Sequence, residues 1–391
     1  MQVLLTTTRA WHLGQTARAF SQRQALSGLW MADKNQSGIP AHEYRRCWPY
    51  HAMMKPFYHC APQIWDERAT YWLSSLWRVW LRANLKPAHC PKFDVAQAIM
   101  GFATEVFDRA EAVGALKVVD CTNSHPTTYR GFWQRECDLW CPGEKVPIPQ
   151  WMFARMNREL ERADVILCPS KFVRDTMVLN GIDARKCFIN PFGVDTSTFT
   201  ARAGAPATPR FICVGTICLR KGHQYLLRAL AEVKKQVPDA ELVCVGDYKV
   251  DFRKERLKWE GLFRHHHFLE AAQLNELMKT CTAFVLPSCE EGLARAIVEA
   301  MAAGLPIIAS HESGATTMVT DGVEGIIVPR RPQAIAEAMI KIGRDTQLCA
   351  KMGVAAHLRG SASNTWQDYG DRLLEEYRRR IESAAEAKDR K

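Results

Sequence analysis

The sequence predicts an α/β protein built as two domains around parallel sheets, and three observations carry that expectation. At 391 residues the chain exceeds the ~250–300 residues at which a single core stops growing. In its second half, apolar runs of strand length alternate with amphipathic helical patterns, as in the βα units of a parallel sheet. One stretch shows such a unit whole. Ala283-Phe284-Val285-Leu286 has strand length and breaks at Pro287, a helical pattern of Ala, Ile, Val and Met runs from about Leu293 to Gly304, and Pro306-Ile307-Ile308-Ala309 is the next strand. Ligands of an open parallel sheet bind beyond the carboxyl ends of the strands, where a helix N-terminus presents unpaired N–H groups and partial positive charge. A phosphorylated ligand is expected there.

Taken in order, the chain opens with a strand over residues 1–6, a loop bearing His12 and Gly14, a helical pattern to about residue 26 and a strand at 28–31. From 38 to 94 the pattern is irregular, with helices expected over 67–85 and 93–113. Trp48, Trp65, Trp72, Trp77 and Trp80 are interleaved there with Arg45, Arg46, Lys55, Arg78 and Arg82. Such a stretch suits helix core with snorkelling arginines, or the interface of an anionic membrane. Base stacking is the third use of such residues, but no nucleic-acid motif accompanies them and no nucleic-acid partner is expected. Residues 116–120 form a strand that delivers Cys121-Thr122-Asn123-Ser124-His125-Pro126 to its carboxyl end. Arg130, Arg135 and Glu136 follow on a loop and helix and are candidates for reading an acceptor. A strand at 165–168 leads through Ser170 into a capped helix ending at Asn180-Gly181.

Residues 200–209, with Ala, Gly and two prolines, have linker composition. The second domain then opens with a strand at 211–215 that turns through Thr216-Ile217-Cys218-Leu219-Arg220-Lys221-Gly222 into a helix. Strands at 241–246 and 267–269, with a helix from about 252 and another around Leu274, lead up to the unit at 283–309. A last strand is expected at 326–328. The final helix carries Trp366, Tyr369, Leu373 and Leu374 on one face, a spacing suited to docking.

Composition bounds the class. With 47% hydrophobic and 24% charged residues the chain is globular, and no apolar run approaches the ~18 residues of a membrane span. The first residues lack the basic start and length of a secretory signal, so a cytoplasmic protein is expected, with attachment to the cytoplasmic face of a membrane left open. The 14 cysteines include no Cys-x-x-Cys sets and read as buried free thiols. His265-His266-His267 has no second ligand cluster, so no metal and no cofactor are expected. A formal charge of +10 implies an anionic partner without choosing it.

The motif Pro287-Ser288-x-x-Glu291-Gly292, followed by Glu299-Ala300-Met301-Ala302-x-Gly304-x-Pro306, resembles the Glu-x7-Glu signature of glycosyltransferase family 4, retaining enzymes of the GT-B fold. The spacing suits one long ligand gripped at two ends, because carboxylates accept hydrogen bonds from vicinal hydroxyls and a nucleotide-sugar carries sugars on both sides of its phosphates. The resemblance implies two Rossmann-like domains facing each other across a deep cleft. Residues 1–203 would bind the acceptor and 204–362 the nucleotide-sugar, with a final helix of about 363–391 crossing back to the first domain.

It also implies roles. Glu291 would contact the donor sugar and Glu299 the nucleotide ribose, with Gly292 and Leu293 beside them in the donor loop. Lys221 matches the family's diphosphate-binding lysine; the usual arginine position is Thr216, so that role moves to Arg220. Gly14 is what remains of a glycine pair near the donor phosphates, His12 lies in the same loop as an acceptor candidate, and His125 occupies the place of a cleft histidine. The catalytic set implied is His125, Lys221 and Glu291.

The expected activity is transfer of a sugar from a UDP- or GDP-linked donor to a hydroxyl acceptor, without a metal, by a front-face route. A non-catalytic nucleotide-sugar-binding protein and a nucleotide-sugar epimerase of the same fold are the alternatives.

Overall fold

The computed structural model describes the chain except residues 10–11, 33, 35–37, 54–66, 207 and 390–391; the side chains at 67–70, 72–73, 250, 253–254 and 387–389 also lie outside the description. Seven parallel strands form the first sheet: β1 (Val3–Thr7), β2 (Leu26–Met31), β3 (Tyr44–Arg46), β4 (Val95–Ile99), β5 (Leu116–Asp120), β6 (Val165–Cys168) and β7 (Cys187–Ile189). Their spatial order is β3-β2-β1-β4-β5-β6-β7. The central β1 and β4 are buried along their whole length, because helices cover both faces of a parallel sheet. The covering helices are α1 (Leu13–Gln22), α2 (Glu67–Asn84), α3 (Thr104–Val113), α4 (Pro126–Trp140), α5 (Gln150–Arg162) and α6 (Lys171–Leu179).

The second sheet has six parallel strands: β8 (Arg210–Val214), β9 (Glu241–Val245), β10 (Arg264–His266), β11 (Ala283–Leu286), β12 (Ile307–Ala309) and β13 (Gly325–Ile327), ordered β10-β9-β8-β11-β12-β13. Strand order reverses between β8 and β11, so the loops leaving these two strands flank a switch-point crevice. Helices α7 (His223–Gln236), α8 (Arg253–Lys258), α9 (Ala271–Lys279), α10 (Arg295–Ala302), α11 (Pro332–Arg344) and α12 (Thr346–Ser361) complete this domain. The last helix, α13 (Trp366–Asp389), packs on α1 of the first domain. Tyr369, Leu373, Leu374 and Tyr377 are buried there. Two Rossmann-like sheets with a returning helix are the expected GT-B architecture.

Several expected elements differ. The helix expected over 93–113 is a strand, β4, followed by α3. Gln97 interrupts the apolar run and hides the strand, yet it is fully buried, donating to Asp120 Oδ2 (2.7 Å) and accepting from the Tyr377 hydroxyl (2.9 Å). The strand expected at 267–269 lies at 264–266, an edge strand placed by Arg264 opposite Val243 and lacking an apolar signal of its own. Helix α1 stops at Gln22, where the chain turns through the positive φ of Gln24 into β2.

In the basic, Trp-bearing stretch, Trp77 is buried and stacks on Trp80 at 5.3 Å, and Trp80 meets Trp30 edge-on at 5.8 Å. These two are core. Trp48 is 65% exposed, while Trp65 and Lys55, and the side chain of Trp72, lie outside the described residues. Among the described residues every cysteine is a free thiol, no group of His, Cys, Asp and Glu could hold a metal, and no helix is long and apolar enough to cross a membrane.

Candidate active site

The site grows from the two loops at the switch point of the second sheet. After β8 the chain turns back on itself, and Gly222, at φ +78°, starts α7 against the other loop: a Cβ there would fall 2.0 Å from the Pro287 carbonyl oxygen. The Cys289 N–H donates to the Arg220 carbonyl (2.7 Å), tying the loops backbone to backbone. This places two cations beside two carboxylates. Glu291 Oε1 accepts from Arg220 Nη1 at 2.6 Å and pairs with Lys221 Nζ at 2.8 Å. Arg220 also donates to the Glu290 carbonyl at 2.7 Å and lies 3.5 Å from its carboxylate.

Burial pushes the Glu291 carboxyl up, but Arg220 and Lys221 outweigh it and hold the group below the usual carboxylate range. Glu290 goes the other way, because burial dominates and the neighbouring Glu291 adds to it. Burial also works against the Arg220 cation, and Glu291 and Glu290 more than offset that. The cluster therefore holds two cations in place through an internal carboxylate. A diphosphate could take over that charge.

The first domain closes directly on this cluster. A Cβ on Gly292 would fall 2.2 Å from the Thr122 carbonyl oxygen, so only glycine permits the approach. The Ser170 hydroxyl, which caps α6, also donates to the Gly292 carbonyl. Glu290, fully buried, reaches across to accept the Ser124 N–H (2.7 Å) and an N–H of Asn123 (3.1 Å). The next residue is His125. Its Nδ1 accepts the Thr127 N–H (3.3 Å) at the start of α4, and its own backbone N–H donates to Thr176 Oγ1 (3.0 Å). Burial pushes the ring down to about 4. It is neutral at pH 7 with its proton on Nε2, a hydrogen-bond donor. A second bridge between the domains runs through buried Glu136 of α4, which accepts from Tyr225 (2.8 Å), Gln224 (3.0 Å) and Arg330 (2.8 Å).

The structure thus brings Arg220, Lys221, Glu291, Gly292 and His125 to one line of closure. Leu293 is buried beside them, and α10 starts two residues later, at Arg295, rather than at Leu293 as the pattern suggested. Glu299 lies one turn into α10, partly exposed, with Arg295 at 3.3 Å. Gly14 is buried inside α1. His12 does not face this cluster openly: it is 2% exposed, bonded to Asp120 Oδ2 at 2.9 Å and packed on Phe192. Arg135 is exposed on α4 and lies outside the two cavities found beside Pro126.

Sequence reasoning missed Glu290 as a site residue, and it weighed Glu136 only as a reader of acceptor. In a sequence each is one more carboxylate. Only contacts made across the cleft reveal their positions, since a loop glutamate is ordinarily exposed.

Comparison with known proteins bears on the fold and the class of activity. Residues 208–345, the second sheet with α7 to α11, match the family described as glycosyl transferases group 1. A GDP-mannose-dependent alpha-(1-6)-phosphatidylinositol monomannoside mannosyltransferase of Mycolicibacterium smegmatis is 27% identical over 289 residues, 68% of this chain and 71% of that protein. The alpha-D-kanosaminyltransferase of Streptomyces kanamyceticus is 30% identical over 189 residues, 45% of this chain and 47% of that protein.

Among solved structures, sucrose-phosphate synthase of Thermosynechococcus elongatus superposes with a TM-score of 0.71 at 14% identity, covering 98% of this chain and all of that one. Anabaena HepE in complex with UDP and glucose gives 0.68 at 18% identity, covering 96% and 98%. These two speak for the fold. The fold and site define a nucleotide-sugar-dependent enzyme of the GT-B class. The chain is a glycosyltransferase whose second domain matches the group 1 family, and its named relatives favour transfer over the epimerase and the non-catalytic alternatives.

Proposed function

We propose that the chain is a metal-independent retaining transferase that binds a UDP- or GDP-linked sugar on residues 204–362 and receives a hydroxyl acceptor on residues 1–203. The observation that carries this reading is the ion-paired cluster of Arg220, Lys221 and Glu291 at the switch point of the second sheet. Arg220 and Lys221 take the diphosphate, and Glu291, released from them, accepts from hydroxyls of the transferred sugar. Glu299 accepts from the ribose. His125 donates from Nε2 to the sugar or the acceptor, and the chemistry needs no protein nucleophile: the acceptor oxygen bonds to the anomeric carbon on the face the phosphate leaves, and its proton passes to the departing phosphate oxygen. The cations stabilise the charge that builds on the leaving group.

GDP is suggested by the mannosyltransferase relative and UDP by the ligand of the structural neighbour. Peripheral contact with an anionic membrane is assigned to the stretch around exposed Trp48 and the nearby Arg45 and Arg46.

A thermal-shift screen with UDP, GDP, UDP-glucose and GDP-mannose tests the donor reading, since a ligand at 100 times its Kd adds roughly 2.7 kcal/mol. Lys221→Ala should abolish the shift and slow donor hydrolysis by about 2 to 4 kcal/mol of lost transition-state stabilisation. Wild-type shifts and rates in that variant would contradict the assignment.

A further inference from the structure

Beside His125 the first domain carries a groove that none of the roles above uses. Helices α4 and α5 lie side by side, and between them is a cavity of about 340 Å³, at the small end of the range for small-molecule sites. Its head is Pro126 and Thr127, the two residues after His125, so the groove begins where the candidate site ends. Phe153 of α5 lines the groove, and the Arg130 guanidinium lies over its ring at 5.5 Å while donating to Gln150.

Two features point to a ligand. Asn157 Oδ1, in the lining, is buried and accepts no hydrogen bond; a native protein rarely leaves such an oxygen unpaired. Gly131, in the α4 wall, has no heavy atom within 4 Å of where a Cβ would be. Glycine weakens a helix, and here its effect is to keep the groove open.

We propose that this groove is a saccharide subsite, holding the part of the acceptor beyond the hydroxyl that reacts. Its chemistry suits a polyhydroxylated ligand: the unpaired Asn157 amide oxygen takes a hydroxyl proton, the Gln150 amide, whose oxygen accepts from Arg130, has N–H groups to donate, the Arg130 guanidinium covering Phe153 can donate as well, and Pro126 adds an apolar wall. The inference rests on the reading that residues 1–203 receive the acceptor.

The test is direct binding. Saturation-transfer NMR and calorimetry would be run on the full chain with mannotriose, maltotriose and cellotriose, and separately with UDP and GDP. At least one trisaccharide should bind the wild type. Gly131→Leu, which suits a helix and fills the groove, and Asn157→Leu should each weaken it by about tenfold or more, the scale of one lost hydrogen bond. Asn157→Asp, which keeps an accepting oxygen, should retain binding. Nucleotide affinity should stay unchanged in all three variants, so a failure of the donor reading would register separately, as absence of nucleotide binding by the wild type. The proposal is overturned if none of the trisaccharides binds, or if the one that binds does so equally well to Gly131→Leu.

Discussion

Glu291 sits between two cations in a buried site, and that contact decides what its removal should do. In the free protein its carboxylate neutralises Arg220 and Lys221, so on the proposed reading it would compete with an incoming diphosphate for them as well as contact the sugar. His125 is the other residue whose environment is readable. Burial depresses its ring to about 4, and the same holds for His223 in the second domain. As pH falls, the unfolded chain protonates these rings near the ordinary value of ~6.5 while the folded chain does so only near 4, so stability is full above the first and lost progressively towards the second. Each ring accounts for roughly 3 kcal/mol across that window by the linkage relation. Urea unfolding of His125→Gln at pH 7 and pH 4.5 should show a smaller loss than the wild type, by the share of one buried ring, while His223 and the also depressed His265 keep theirs. An unchanged loss would mean that His125 is not held neutral.

At the scale of elements, the loop from Pro287 to Ala294 does most of the positioning. It carries Glu290 towards the first domain and Glu291 towards the cations, and Gly292 lets it touch Thr122 backbone to backbone. Gly292→Ala should therefore hold the domains apart while leaving each sheet intact. Misplacement of about 1 Å can cost a hundredfold in rate, so donor hydrolysis should drop on that order while X-ray scattering reports a larger radius of gyration. Near-normal turnover with unchanged scattering would count against the closed arrangement.

The elements that build this loop were the legible ones: β6, β8, β9, β11 and β12 are continuous apolar runs, as strands buried on both faces must be. The illegible ones failed for physical reasons. Gln97 broke the run of β4 because its partners, Asp120 and Tyr377, lie far away in sequence, and the edge strands β3 and β10 are three residues each with little buried surface. In the candidate site, Glu291, Glu299, Lys221 and Arg220 were named through the resemblance of their motifs to family 4, and the structure brings Glu291, Lys221 and Arg220 together. Glu290 and Glu136 were not readable as bridges, since their meaning lies in contacts across the cleft.

Among the described residues the two domains meet at the carboxylates Glu290 and Glu136, at Gly292 against Thr122 and Ser170, and through α13. That last helix is tied into the first sheet by a buried chain of hydrogen bonds from Tyr377 through Gln97 to Asp120 and His12. Tyr377→Phe removes one donor and leaves the Gln97 oxygen without it, at a cost of about 1 to 3 kcal/mol. Thermal unfolding should report a loss of that size, with nucleotide binding unaffected; no loss would place the helix's hold in its apolar face alone.

On the proposed reading the donor lies across the switch point of the second sheet, with its diphosphate on Arg220 and Lys221, its sugar at Glu291 and its ribose at Glu299. Calorimetry with UDP and GDP on Glu291→Gln and Glu299→Gln tests it most directly. Glu299→Gln should weaken the preferred nucleotide by roughly 1.5 to 3 kcal/mol, the value of a charge-assisted hydrogen bond. Glu291→Gln should bind that nucleotide as well as the wild type or better, because its cations are released, while hydrolysis of the nucleotide-sugar falls. Equal losses of nucleotide affinity in the two variants would contradict the account.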